Sequence, residues 1–213
     1  MPESSDPERP VPQKADPSPA RGEPRVRTRF LHEWLANMEN EPSRLRSRFF
    51  AALPGDVRST IEGAARTTWL PVDLHVLLAD LTLAALGPVA AYDYYRRSFS
   101  RSLQGPLLAP MLRTATRLFG LTPATCLRWA NRGWEAGFRD CGGVRGEVTA
   151  PGRGRLVYEE LPAVCIASDA WLDSSQGSAY GLLDLVGATG VARIDKSRRA
   201  ERILIVDLEW TVT

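Results

Sequence analysis

The chain of 213 residues is long enough for one domain with a tail or for two small domains. Hydrophobic residues make up 44% of it and charged residues 24%, and 27 basic against 25 acidic side chains leave a net charge of +2. This near balance gives no electrostatic reason to expect a nucleic-acid partner. The cysteines, Cys126, Cys141 and Cys165, are odd in number and widely spaced, so they predict neither a disulfide framework nor a zinc site.

The N-terminal segment, residues 1–27, combines many prolines and charges with almost no apolar side chains. Such a composition cannot bury a core, so we predict a disordered tail that lacks the apolar stretch of a secretory signal. The longest uncharged run, residues 81–92, is interrupted by Gly87-Pro88 and is too short to cross a bilayer. We therefore expect a cytoplasmic protein with no membrane partner, in which residues 28–213 form a single domain.

The spacing of apolar residues over residues 28–140 predicts a helical part with about six helices. Residues 72–86 are apolar on nearly every side, which is typical of a buried central helix. In the next helix Tyr95 and Phe99 belong to an aromatic stripe at helical spacing. The later predicted helices cover residues 106–119 and 123–139.

Residues 144–213 carry the pattern of two β-hairpins on either side of one helix. Asp173 and Gln176 resemble a capping box and predict the start of that helix. We thus predict an α+β fold, in which an N-terminal helical layer packs on a C-terminal four-stranded antiparallel sheet of β-β-α-β-β order. The final strand alternates clearly, and its apolar face comprises Leu204, Val206, Leu208, Trp210 and Val212.

Pairs of glycines four residues apart occur in two of the predicted helices. Gly133 and Gly137 form the first pair, and Gly177 and Gly181 form the second. Glycine lowers helix stability, and it is used where another backbone must come close. Each pair therefore predicts a helix crossing, a contact between two copies of the chain, or the wall of a small pocket.

An aromatic stripe at helical spacing can belong to a core or can line a ligand pocket, and the residues alone leave both readings open. The side chains that we expect around such a pocket are Tyr95, Phe99, Met111, Leu112, Trp129 and Leu183.

The sequence leaves two other functions open. An enzyme would have to use His75, Asp80 or Cys165, but no Ser-His-Asp order and no cluster of metal ligands is evident. His75 and Asp80 are five residues apart, which separates them by about 140° around a helix, so they do not form a site unaided.

A DNA-binding regulator is the second alternative, because two short helices joined by a tight turn follow residue 42. Arg44, Arg46 and Arg48 give the first of them a basic character. Residues two apart fan over different sides of a helix, so these arginines do not form one phosphate-facing row. The pattern disfavours a nucleic-acid contact.

The order of elements, the Gly181-Leu182-Leu183 run in the last helix and the closing Leu208-Glu209-Trp210 resemble a known superfamily. It includes heme nitric-oxide sensor (H-NOX) domains, vinyl-reductase-type ligand-binding domains and subunits of trafficking complexes. Within it the chain is most similar to a paralogous family of myxobacterial proteins. The resemblance implies a scaffold that binds small apolar molecules between helices and sheet and that forms dimers.

The functional residues of the better-known relatives do not carry over. Heme sensors of this fold use a proximal histidine and a Tyr-x-Ser-x-Arg motif, whereas this chain has only His32 and His75 and lacks the motif. Phenol-sensing relatives hold zinc with cysteines of the last hairpin, where this chain has no Cys or His. We therefore predict no cofactor and no metal. The expected function is that of a non-enzymatic sensory or adaptor module that binds a small apolar ligand, a protein partner, or both, with homodimerisation possible.

Overall fold

The computed structural model describes residues 22–104 and 120–211, together with Ala109 and Thr114. Most of the predicted helix over residues 106–119 lies outside this part of the chain. The α-helices described are α1 (Thr28–Glu39), α2 (Ser43–Ala52), α3 (Gly55–Gly63), α4 (Val72–Leu86), α5 (Pro88–Gln104), α6 (Pro123–Arg128), α7 (Ala130–Gly137), α8 (Ala163–Ala167) and α9 (Asp169–Leu185). The strands are β1 (Arg25–Arg27), β2 (Trp69–Pro71), β3 (Phe138–Arg139), β4 (Gly143–Ala150), β5 (Arg153–Glu159), β6 (Gly190–Asp195) and β7 (Leu204–Trp210).

Prolines and one glycine set several of the helix boundaries. Pro42, Pro54 and Pro71 stand in extended backbone directly before α2, α3 and α4. Gly87 ends α4 with a φ of +78°, which glycine adopts without the steric cost that a side chain would add. Pro88 then opens α5 at the first helical position, where its missing N–H costs nothing.

The larger sheet has the strand order β4-β5-β7-β6, with every neighbour antiparallel. Leu204, Val206 and Leu208 of β7 are each at most 1% exposed, as the alternation predicts. The opposite face carries ion pairs between neighbouring strands, for example Arg155 with Asp207 at 3.1 Å. The predicted α+β class and the four-stranded antiparallel sheet are therefore confirmed.

Helices cover the apolar face of this sheet. The long helix α9 packs on β6 and β7, while α6 and α7 pack on β4. On its far side α9 crosses α5, which in turn contacts α1 and α4. The core therefore lies between the sheet and α9, and continues beyond α9 into the N-terminal helices.

A second sheet of three short strands, β2-β1-β3, corrects the boundary predicted for the N-terminal tail. We assigned residues 1–27 to the tail, but Arg25–Arg27 form the central strand of this sheet. Val26 pairs with Leu70 on one side and with Phe138 on the other, and its side chain is completely buried. One apolar residue among charges is a weak sequence signal, yet pairing on both sides satisfies its backbone.

Two predicted helices differ from those in the structure. The helix expected over residues 123–139 is divided at Trp129, whose φ of −97° and ψ of 0° interrupt the helix, and it ends before β3. The last helix begins at Asp169 rather than at Asp173. Ser168 caps it, because its hydroxyl accepts the N–H of Trp171 at 3.0 Å, so the apparent capping box lies within the helix.

Candidate functional site

A cavity of about 180 Å³ lies where α9, the segment of α6 and α7, and the sheet meet. Its wall is mostly aromatic and aliphatic, with a few polar atoms. The residues that line it include Phe30, His75, Phe99, Leu103, Cys126, Trp129, Ala130, Gly133, Trp134, Phe138, Val144, Leu156, Tyr158, Trp171, Ser174, Ser175, Ser178, Leu182 and Leu185.

One face of α9 forms a continuous side of the cavity. Trp171, Ser174, Ser178, Leu182 and Leu185 are spaced by three or four residues, which places them in one row along a helix. The serines make the N-terminal part of this row partly polar, and the leucines make its C-terminal part apolar. Because α9 is seventeen residues long and packed on both sides, this wall is rigidly placed.

The aromatic side chains on the other walls hold one another in position. The rings of Trp134 and Phe138 stack with centroids 4.2 Å apart. Tyr158 meets Trp134 in a T-shaped arrangement at 5.5 Å, and His75 meets Phe138 in the same way at 5.4 Å. Stacked and edge-to-face rings restrict each other's movement, so the cavity is preformed.

His75 of α4 is the polar group held most firmly at the cavity. The indole Nε1–H of Trp171 donates a hydrogen bond to its Nδ1 at 2.9 Å. The ring borders the cavity, and its burial among the surrounding side chains lowers its pKa from 6.5 to about 4. His75 is therefore neutral at physiological pH.

The hydrogen bond from Trp171 also determines where the proton of His75 lies. An indole N–H can only donate, so Nδ1 must offer its lone pair. A neutral imidazole carries one proton, which is then on Nε2. Among the described residues Nε2 has no hydrogen-bond partner, although the ring lines the cavity.

A smaller space of about 70 Å³ adjoins the main cavity and shares Phe30, His75, Phe99, Ser174 and Ser178 with it. Its far wall is formed by the two neighbouring tyrosines of α5. Their hydroxyls are engaged, since Tyr95 donates to the Ala79 carbonyl at 3.0 Å and Tyr94 donates to the Trp34 carbonyl at 2.7 Å. These bonds link α5 to α4 and to α1.

The residues that we expected around a pocket are distributed unevenly. Phe99 and Trp129 line the main cavity, and Tyr95 lines the smaller space. Leu183 is fully buried but does not line the cavity, whereas its neighbour Leu182 does. Consecutive side chains on a helix are about 100° apart, so the two leucines face different neighbours. The remaining two, Met111 and Leu112, lie outside the described residues.

Three of the four predicted glycines stand where another group comes very close. A Cβ atom added at Gly177 would lie 2.7 Å from Cβ of Tyr95, and one at Gly181 would lie 2.8 Å from the carbonyl oxygen of Arg96. Both glycines thus serve the crossing of α9 and α5 within the chain. At Gly137 the added atom would lie 2.5 Å from the ring of Phe30. The fourth, Gly133, lines the cavity.

Each of the three candidate catalytic residues has a structural role or a buried position within the fold. The carboxylate of Asp80 accepts the Ser168 hydroxyl at 2.6 Å and so supports the cap of α9. Cys165 is completely buried, which raises the pKa of its thiol and keeps it protonated. His75 is bonded to Trp171, as described above. Within residues 22–104 and 120–211 no group of three or more His, Cys, Asp or Glu side chains could hold a metal ion.

Two of the three arginines of α2 donate to carbonyl groups of the protein itself. Arg46 donates to the Glu39 carbonyl at 3.2 Å, and Arg48 donates to the Ala84 carbonyl at 3.3 Å. The helix that follows β2 is not a free recognition helix either, because α4 packs against α2, α5 and α9. This arrangement does not favour insertion into a DNA groove.

A heme would need a larger space and a free axial ligand, and the described residues offer neither. Pockets that bind drug-sized ligands have volumes of roughly 300–1,000 Å³. A heme is larger than such a ligand, and this cavity has a volume of only about 180 Å³. His75 points an N–H into the cavity, and an N–H offers iron no lone pair. Burial raises the pKa of the Cys126 thiol and of the Tyr158 hydroxyl, so both stay protonated and are poor iron ligands. His32 donates through Nε2 to the Ile61 carbonyl, away from the cavity. The residues present do not fit a heme.

Sequence reasoning missed Trp171, Tyr158 and the serines of α9 as cavity residues. A usable signal was present in Ser168-Asp169, which is a helix N-cap followed by an acidic residue in the first turn. Starting the helix there reveals the row from Trp171 to Leu185 on one face. Tyr158 gives no such signal, because its position in β5 is apparent only once α7 is packed against the sheet.

In the part of the chain that the structure describes, no helix is long and apolar enough to cross a membrane. No protein-family model and no curated protein sequence matches the chain. Among solved structures it is similar to an H-NOX protein from K. algicida in the Fe(II) unliganded form and to a mutant of that protein, each with a TM-score of 0.58 and 9% sequence identity. Each match covers 88% of this chain and 97% of the other. The chain thus has a distant H-NOX-like fold, while its resemblance to the myxobacterial family stays a prediction.

Proposed function

We propose that this protein is a sensory ligand-binding module that takes up a small, uncharged, mostly apolar molecule in the cavity beside α9. The observation that carries the proposal is the cavity itself, a preformed space of about 180 Å³ whose wall is dominated by aromatic rings. Most protein cores are packed without voids of this size. An unfilled space lowers stability, so a cavity maintained by so many large side chains is best explained by a ligand.

The volume indicates the size of the ligand. An apolar cavity of about 150 Å³ engineered into another protein remains dry and binds benzene. The cavity beside α9 is slightly larger, at about 180 Å³. It therefore suits a single six-membered ring with one small substituent. The adjoining space of about 70 Å³ could receive that substituent past Phe99.

The lining indicates the charge of the ligand. Among the described residues around the cavity there is no Asp, Glu, Lys or Arg side chain. Bringing a charged group into such surroundings costs far more than a few ring contacts return. A neutral ligand is expected for this reason. The same lining lacks an activated nucleophile or a paired acid and base, which supports a binding role over an enzymatic one.

A sensor must pass on the state of its cavity, and the small sheet provides a direct connection. Phe138 of β3 lines the cavity and is the neighbour of Val26 in β1. Phe30, three residues beyond the end of β1, lines the cavity as well. A ligand in contact with these rings therefore lies next to the strand that leads to the N-terminal segment, and its binding would stabilise the position of that strand. A protein partner and a homodimer are further expectations from the resemblance and would act downstream of this connection.

Native mass spectrometry of protein purified from its native organism, compared with the same sample after denaturation, tests the proposal. We expect an extra mass of a small organic molecule that disappears on denaturation. A matched variant, Gly133→Leu, places a side chain in the cavity and should lack the extra mass, whereas Asn131→Leu on the exposed side of α7 should retain it. An extra mass that persists in Gly133→Leu would contradict the proposal.

A further inference from the structure

We propose that the ligand of this cavity carries a hydrogen-bond acceptor, such as a ring nitrogen, an ether or a carbonyl oxygen, and that Nε2–H of His75 binds it. This inference rests on the proposed function and adds the chemical class of the ligand to its size. It follows from the bond between Trp171 and His75, which leaves one donor facing unbonded space.

The requirement for an acceptor follows from donor and acceptor capacity. Trp171 occupies Nδ1 of His75 with a donated N–H at 2.9 Å, so the imidazole proton lies on Nε2. In the described part of the chain no oxygen or nitrogen accepts that proton. An N–H group that faces an apolar cavity without a protein partner favours a ligand that supplies an acceptor.

The donor is held in a fixed direction by its neighbours. The ring of His75 is flanked edge-on by Trp34 at 4.9 Å and by Phe138 at 5.4 Å. Trp171 is itself placed at the first turn of α9 by the Ser168 cap. The imidazole cannot flip without breaking the bond from Trp171 and disturbing both flanking rings. Its Nε2–H is therefore preorganised.

Other polar groups at the cavity do not impose the same requirement. The hydroxyls of Tyr158 and Ser178 have no hydrogen-bond partner among the described residues, but a hydroxyl can be satisfied by either a donor or an acceptor. The Ser174 hydroxyl already donates to the Trp171 carbonyl at 2.7 Å.

The indole Nε1–H of Trp129 also can only donate, but that ring borders a second pocket with Arg128 and Arg132 as well. The His75 ring, in contrast, faces the cavity and the smaller space beside it. His75 is therefore the donor that we assign to the acceptor on the ligand.

Benzene and pyridine form a suitable pair of probes, because they have nearly the same shape and differ by one acceptor. Their dissociation constants are measured by calorimetry with the full chain, at a pH above the pKa of pyridine. The readout is the ratio of the two constants, which cancels changes in cavity shape. We expect His75→Leu to lower the preference for pyridine over benzene by about 2- to 10-fold, the contribution of one hydrogen bond.

Two further variants separate this role from a general effect on packing. His75→Gln can accept from Trp171 and still donate to the cavity, so it should keep most of the preference for pyridine. Tyr158→Phe removes a hydroxyl at the same cavity and should leave the ratio unchanged. If His75→Leu does not fold, the nitrogen and proton shifts of Nε2–H in the unmodified protein give the answer, since pyridine should move them downfield and benzene should not.

The outcomes distinguish this inference from the proposed function. Binding of benzene with a ratio that His75→Leu does not alter would overturn the acceptor requirement and leave the cavity function intact. A ratio that falls in Tyr158→Phe and not in His75→Leu would identify Tyr158 instead of His75 as the donor to the ligand and overturn the inference. If neither probe binds the unmodified protein, the proposed function fails and this inference fails with it.

Discussion

Trp171 donates its indole N–H to Nδ1 of His75, and this bond joins α9 to α4 across one end of the cavity. The two residues are 96 positions apart in the chain. Their contact sets the tautomer of the histidine, completes the polar end of an otherwise aromatic wall and ties the start of α9 to the helical layer. The bond therefore links the stability of the fold to the chemistry of the cavity.

The first prediction concerns the pH dependence of stability. Burial lowers the pKa of His75 to about 4, so between pH 6.5 and about 4 the unfolded chain binds a proton that the folded chain does not. Stability is thus unaffected by His75 above this window and falls as the pH drops through it, by about 3 kcal/mol in total. Denaturant unfolding of the unmodified protein and of His75→Gln at several pH values measures the effect.

The difference between these two proteins isolates His75, because every other ionisable side chain is the same in both. The unmodified protein should lose the additional stability and His75→Gln should not. Parallel stability curves for the two proteins over the window would show that His75 can be protonated in the folded state, contrary to the burial described here.

The second prediction concerns the crossing of α9 and α5. Gly177→Ala places a Cβ atom 2.7 Å from Cβ of Tyr95, which forces the helices apart and should cost about 1–3 kcal/mol of unfolding free energy. The matched control is Gly63→Ala at the end of α3, where an added Cβ meets nothing within 4 Å. That variant should be neutral or stabilised by up to about 1 kcal/mol. Equal effects in the two variants would argue against close packing at Gly177.

The third prediction concerns the bidentate ion pair of Arg96 and Asp184, which also joins α5 to α9. Arg96 donates through both Nε and Nη2, the latter at 2.7 Å, and its guanidinium also lies 4.2 Å from the ring of Tyr180. A double-mutant cycle with Arg96→Met and Asp184→Asn should give a coupling of about 1 kcal/mol, since the pair is partly shielded and bidentate.

A cycle on the exposed pair within α3, with Arg58→Met and Glu62→Gln, provides the comparison. That pair connects residues of one helix, so its coupling should not exceed about 0.5 kcal/mol. A coupling between Arg96 and Asp184 no larger than this would indicate that the pair does not fasten α5 to α9.

The fourth prediction concerns thiol reactivity. Burial raises the pKa of Cys126 and of Cys141 to about 11 and also raises that of Cys165. All three should be alkylated slowly by iodoacetamide at neutral pH and rapidly after denaturation, because the thiolate is the reactive form. Cys126 alone lines the cavity, so benzene should slow its alkylation further. Mass spectrometry of the modified peptides gives each rate, and equal slowing at Cys141 would indicate general stabilisation rather than occupancy.

The sheet was predictable because a strand with one buried face has a period of two, and β7 shows it without interruption. The position of the cavity was less accessible, since a pocket forms where elements distant in the chain meet. Phe99 belongs to the aromatic stripe and lines the cavity, and so does Trp129, which helical spacing does not single out. Leu182 lines the cavity instead of the expected Leu183. The role of His75 could not be inferred, because it depends on a partner in α9 whose start was placed four residues too late.

The central claim is that the cavity binds a small neutral molecule, and thermal unfolding with and without benzene tests it most directly. A ligand that binds only the folded state raises Tm, and the rise grows with the logarithm of its concentration above Kd. We predict that saturating benzene raises Tm of the unmodified protein and of Asn131→Leu, and leaves Tm of Gly133→Leu unchanged. An unchanged Tm for the unmodified protein, or an equal rise in Gly133→Leu, would contradict the account.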